Sequence, residues 1–132
     1  MDEIYTRLLT TLGYEQRSLV QPIQGPEFES LVEKNAILFV DFWAPWCAPC
    51  KQFKEIYANI SAQYPDIFFG SVNIEQEPAL GELFELRSIP HLMVFKQGIA
   101  IYSESGSMPE STLKELVEQA LAVDVAAVRE EE

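Results

Sequence analysis

Basic residues are scarce in this chain of 132 residues: nine lysines and arginines stand against 21 aspartates and glutamates, for a formal net charge of −12. So acidic a chain is repelled by phosphate backbones and anionic bilayers, and neither nucleic acid nor a membrane is expected as a partner. Long hydrophobic runs are missing too; the longest are the size of a strand, too short to span a bilayer. The opening Met1-Asp2-Glu3 lacks the positive start and apolar stretch of a secretory signal, so the expected location is cytoplasmic. Histidine occurs once, at His91, and cysteine twice, at Cys47 and Cys50. A closed zinc site takes four such ligands, so zinc would have to be shared between two chains. Repeats and low-complexity tracts are absent, and a 48% hydrophobic content argues for one globular domain with tails. The closing Glu130-Glu131-Glu132 reads as a solvated tail.

The two cysteines that are present lie two residues apart, directly after an apolar segment. In the first turn of a helix, positions i and i+3 share a face at a separation a disulfide can span. The loop so closed is too short to restrain much unfolded-chain entropy, which favours a chemical use over a structural one. Cys47 at a helix N-terminus meets unpaired amides and the positive end of the helix dipole, which favour its thiolate and make it the attacking thiol. Cys50, one turn deeper, is placed to resolve the mixed disulfide that results. Asp41 lies six residues before Cys47 on an otherwise apolar strand, and it is a candidate acceptor for the Cys50 proton if burial raises its pKa. Two other readings use the same residues. One is a redox-silent interaction module that docks partners through a groove or an N-terminal helix. The other pairs Cys47 with His91 for hydrolysis, and it is weakened because Cys50 would capture the nucleophile.

Periodicity orders the rest. Ile4, Tyr5, Leu8, Leu9 and Leu12 recur at helical spacing before Gly13, so residues 1–18 read as a helical extension and linker. Leu19 to Ile23 reads as a weak edge strand, because Pro22 cannot donate to a ladder. A helix is expected from Gly25 to about Asn35, a buried strand over Ala36 to Trp43, and a helix after Cys47 with Phe53, Ile56, Tyr57, Ile60 and Tyr64 on one stripe. Ile67 to Ile74 supplies a further strand and Pro78 to Glu85 a short helix. His91 to Phe95 and Ile99 to Ser103 form a hairpin about Gln97-Gly98. Ser107 and Glu110 have capping-box spacing before a last helix carrying Leu113, Leu116, Val117, Ala120 and Leu121. The fold class is α/β, a mixed central sheet flanked by helices.

The segment Val40-Asp41-Phe42-Trp43-Ala44-Pro45-Trp46-Cys47-Ala48-Pro49-Cys50-Lys51 closely resembles the active-site segment of the thioredoxin family. Arg87-Ser88-Ile89-Pro90 resembles the loop whose cis-proline faces the cysteines, Phe95-Lys96-Gln97-Gly98 resembles the family's hairpin turn, and Gly106 falls where a glycine leaves room for a client backbone. The resemblance covers residues 19–123, with 124–132 left as an acidic tail. It implies the thioredoxin fold and a protein disulfide reductase acting in cell redox homeostasis. It also implies no bound cofactor, reducing equivalents from NADPH through a thioredoxin reductase, disulfide-containing client proteins as substrates, and a monomer. The client-binding residues it implies are Trp46, Ala48, Pro49, Ile89, Pro90, His91 and Gly106. Three positions depart from the commonest family pattern: Ala48 replaces a glycine, Ser71 stands where a lysine usually partners the buried aspartate, and His91 replaces a threonine.

Overall fold

The computed structural model describes residues 18–126. Their order is β1 (Gln21–Pro22), α1 (Gly25–Lys34), β2 (Ile37–Trp43), α2 (Ala48–Gln63), β3 (Phe68–Asn73), α3 (Pro78–Leu83), β4 (His91–Lys96), β5 (Ile99–Ser105) and α4 (Glu110–Ala122). The helix expected over the first dozen residues and the final glutamates lie outside the described residues. One five-stranded sheet has the order β1-β3-β2-β4-β5. β1 and β2 run parallel to β3, whereas β4 is antiparallel to both β2 and β5. This is the mixed sheet that strand and helix alternation followed by a hairpin requires.

β2 is central and its residues from Leu38 to Phe42 are all buried, because helices cover both faces of the sheet. The two-residue period of a strand sends Leu38, Val40 and Phe42 to the side of Phe28 on α1 and Leu80 on α3. Phe39 goes to the other side, among Phe53, Tyr57 and Ile60 of α2 and Leu113 and Val117 of α4. Asp41 shares the side of Phe39 by the same alternation and therefore faces α2.

Four details differ from the sequence expectation. β1 is two residues long rather than five, since Leu19 N–H donates to Ser61 Oγ on α2 at 3.0 Å, outside the ladder. Pairing with β3 begins at Gln21 and carries on just past Pro22, where Ile23 N–H donates to Ser71 O at 2.8 Å. α3 stops at Leu83 because Glu85 adopts φ 51° and Leu86 N–H turns back to Gly81 O at 3.0 Å, a left-handed helix stop. No capping box forms at α4: its N-cap is Pro109, and Glu110, now the first helical residue, accepts from Asn59 Nδ2 at 3.2 Å. The packed chain also runs beyond α4, where Val125 is buried within the stretch read as a tail.

The hairpin turn behaves as its sequence demands. Gln97 and Gly98 both have positive φ, at 51° and 83°, as a two-residue turn matched to the strand twist needs. Beside it Lys96 Nζ donates to the carbonyls of Ala120, Leu121 and Val123 at 2.8, 3.0 and 2.9 Å. One side chain thereby serves the unpaired carbonyls at the end of α4.

Candidate redox site

β2 ends at Trp43, and the chain turns through Ala44 and Pro45 so that Cys47 arrives as the N-cap of α2. Its backbone is extended, and its Sγ accepts from Cys50 N–H at 3.2 Å, the place an Asp or Ser oxygen takes in an ordinary cap. Pro49, second in the helix, removes one N–H that would have had no partner. Cys47 and Cys50 are joined as a disulfide across a Cα–Cα separation of 5.2 Å. Both cysteines form a buried cluster with Ala44, against which Trp43, Ile74 and Ile89 pack.

Two openings flank this disulfide. The first is a groove bounded by Trp46, Cys47, Ala48 and Pro49 on one side and Leu86 to Ile89 on the other. Trp46 stands 66% exposed at its edge. The Ile89-Pro90 peptide is cis, and Ile89 O lies 3.6 Å from Cys47 Sγ, within reach of a thiol proton in the reduced protein. Pro90, His91 and Gly106 do not line this groove. Gly106 N–H donates to Pro90 O at 2.7 Å, which fixes the loop from behind. His91 Nε2 is 2.8 Å from Ser103 Oγ across the hairpin, and the ring meets Phe42 edge-on, turned towards the α1 and α3 face. Its pKa is lowered by burial, against the opposing pull of Glu104.

The second opening is a cavity of ≈ 450 Å³ on the α2 side, lined by Asp41, Trp43, Cys50, Tyr57 and Ser71 and reaching Lys51 and Lys54. Asp41 is 3% exposed, and its Oδ1 has no hydrogen-bond partner among the described residues. Burial pushes its pKa up from 3.8 to about 7. Ser71 is its neighbour in register on β3. Tyr57 donates its hydroxyl to Gly70 O at 2.9 Å rather than to Asp41, and burial, with the Asp41 charge, raises the phenol well above its ordinary value. Lys54 Nζ lies 5.8 Å from the centre of the Trp43 ring. Asp41 and Cys50, paired by sequence reasoning, are thus brought to one cavity. Tyr57 and Lys54 were not foreseen as site residues, although Tyr57 falls seven residues after Cys50, two turns on along the same helix face.

The Thioredoxin family model matches residues 19–119. The chain belongs to the thioredoxin family. It is 38% identical over 102 residues to a putative thioredoxin 2 of Streptomyces coelicolor, an overlap of 77% of this chain and 76% of that relative. It is 34% identical over 94 residues to thioredoxin 1 of Synechococcus elongatus, covering 70% and 88%. Among solved structures it superimposes on a Malassezia sympodialis thioredoxin with TM-score 0.72 at 27% identity, covering 80% of this chain and 94% of that one. The oxidised thioredoxin of Plasmodium falciparum gives TM-score 0.68 at 31% identity, covering 76% and 96%. The architecture is the thioredoxin fold, and the protein is a thiol-disulfide oxidoreductase of the disulfide-reductase kind. Thioredoxins need no bound cofactor, and their substrates are disulfides.

Proposed function

We propose that the protein reduces disulfides of client proteins in the cytoplasm, with Cys47 attacking, Cys50 resolving and Asp41 accepting the Cys50 proton. The observation that carries this reading is the N-cap position of Cys47, bonded to a Cys50 that shares a cavity with a buried carboxylate. The Cys47 thiolate is favoured by the Cys50 amide and the helix dipole. It attacks one sulfur of the client disulfide, forms the mixed disulfide and releases the first client thiolate. Asp41 takes the Cys50 proton; the Cys50 thiolate then attacks Cys47 Sγ, displacing the second client thiolate and closing the Cys47–Cys50 bond. Two electrons pass to the client. They are restored, on this reading, from NADPH through a thioredoxin reductase.

The groove supports client docking as an added strand segment, since Ile89 O faces Cys47 at the loop edge and Trp46 supplies an apolar wall. Ala48 and Pro49 would form its floor. Pro90 and Gly106 would hold the loop, and His91 would act from the hairpin rather than by contact. The working unit on this reading is a monomeric domain that starts at about residue 19 and packs through Val125, preceded by an extension. Reduction of insulin disulfides by dithiothreitol, followed by turbidity, tests the activity. The wild type should accelerate precipitation, and the double variant Cys47→Ser, Cys50→Ser should not. Equal rates would favour the redox-silent module instead.

A further inference from the structure

The cavity behind the disulfide holds more groups than proton transfer from Cys50 employs. At its deep end Asp41 presents a carboxylate oxygen with no partner among the described residues, beside Ser71, its neighbour in register. Its walls are the apolar surfaces of Trp43, Pro45 and Tyr57. Lys51 and Lys54 also line it, both at exposed positions of α2, with Lys54 Nζ 5.8 Å from the centre of the Trp43 ring. An unpaired buried acceptor calls for a donor. A cationic donor would have to pass two lysines and bury its own charge, whereas a hydroxyl donor carries none. The apolar middle suits an aromatic ring, and the two ammonium groups suit an anion.

We propose that this cavity is a binding site for a small hydroxyaryl carboxylate, its hydroxyl donating to Asp41, its ring beside Trp43 and Tyr57, and its carboxylate at Lys51 and Lys54. A molecule of about a dozen non-hydrogen atoms is in keeping with a cavity of this size. The occupant would engage the same carboxylate that receives the Cys50 proton, a consequence that rests on the function proposed above. Occupancy then slows release of the mixed disulfide and leaves its formation unchanged.

The probe is 3-(4-hydroxyphenyl)propionate, titrated into the oxidised full chain and followed by amide shifts in heteronuclear NMR spectra. Saturable binding is expected, with shifts centred on residues 41–43, 50–58 and 71. Two analogues divide the contacts: 3-phenylpropionate, lacking the hydroxyl, should bind about tenfold more weakly, and 4-ethylphenol, lacking the carboxylate, should lose the salt dependence of binding. Ala58→Phe fills the cavity from α2, and Ser71→Lys offers Asp41 an internal donor; each should weaken the probe at least about tenfold. No saturation at about 10 mM, the range in which fragments of this size bind, overturns the site. So does equal binding of the hydroxyl-free analogue, or binding unchanged in both variants. Binding that leaves mixed-disulfide release unaltered upholds the site and overturns the proton role given to Asp41.

Discussion

Asp41 holds a carboxylate on a strand whose other side chains are apolar, and ionising it there costs stability. Burial raises its pKa from 3.8 to about 7, so between those values the folded chain keeps a proton that the unfolded chain has released. Stability therefore falls as pH rises from about 4 to about 7 and levels off above, by roughly 4 kcal/mol for a shift of about three units. Asp41→Asn cannot ionise. It should stabilise the oxidised protein by a few kcal/mol at pH 8 and leave it nearly unchanged at pH 4, as read from urea denaturation. Parallel pH profiles for the two proteins would mean that the carboxylate has a compensating partner. The thiols differ at the same scale, since Cys47 lines the groove and Cys50 the cavity. Cys50→Ser should accumulate client proteins as mixed disulfides on Cys47, whereas Cys47→Ser should accumulate almost none. Equal trapping on non-reducing gels would reverse or erase the assigned roles.

At the scale of elements, what the sequence disclosed was what periodicity and turn chemistry encode. β2 was legible as a doubly covered strand from its unbroken apolar run, and the Gln97-Gly98 hairpin from its turn residues. Cys47 and Cys50 could be placed at a helix start because spacing is local. The shortness of β1 was not legible, because it depends on Leu19 finding Ser61, 42 residues away. The failed capping box shows the opposite limit: Ser107-x-x-Glu110 has the right spacing, but Pro109 already sets the backbone at the helix start and leaves Ser107 outside. The Lys96 clamp on α4 was equally hidden, since it joins positions 24 to 27 residues apart. Lys96→Met keeps the stem and removes the donors; the loss should be about 1–3 kcal/mol, with faster amide exchange in the last turn of α4. Exchange confined to its earlier rate would show that solvent satisfies those carbonyls equally well.

For the whole molecule, the charge of −12 sets a background repulsion that salt screens. Raising ionic strength from about 0.02 to about 0.2 M should lift the unfolding midpoint by a few degrees in calorimetry, and a flat or falling midpoint would show that local attraction outweighs the net charge. The cavity is also a property of the whole. Its lining comes from the segment before β1, from β2, α2 and β3, which no single window of sequence displays together. Seen from outside, the disulfide is a partition between two spaces, the groove at Trp46 and Cys47 and the cavity at Cys50 and Asp41. On the proposed function, traffic across it is divided: the bulky partner stays in front, and the proton moves behind. On that reading a folded client can close the front completely without obstructing the back, and the size of the cargo and the timing of its discharge would be set by different parts of the molecule.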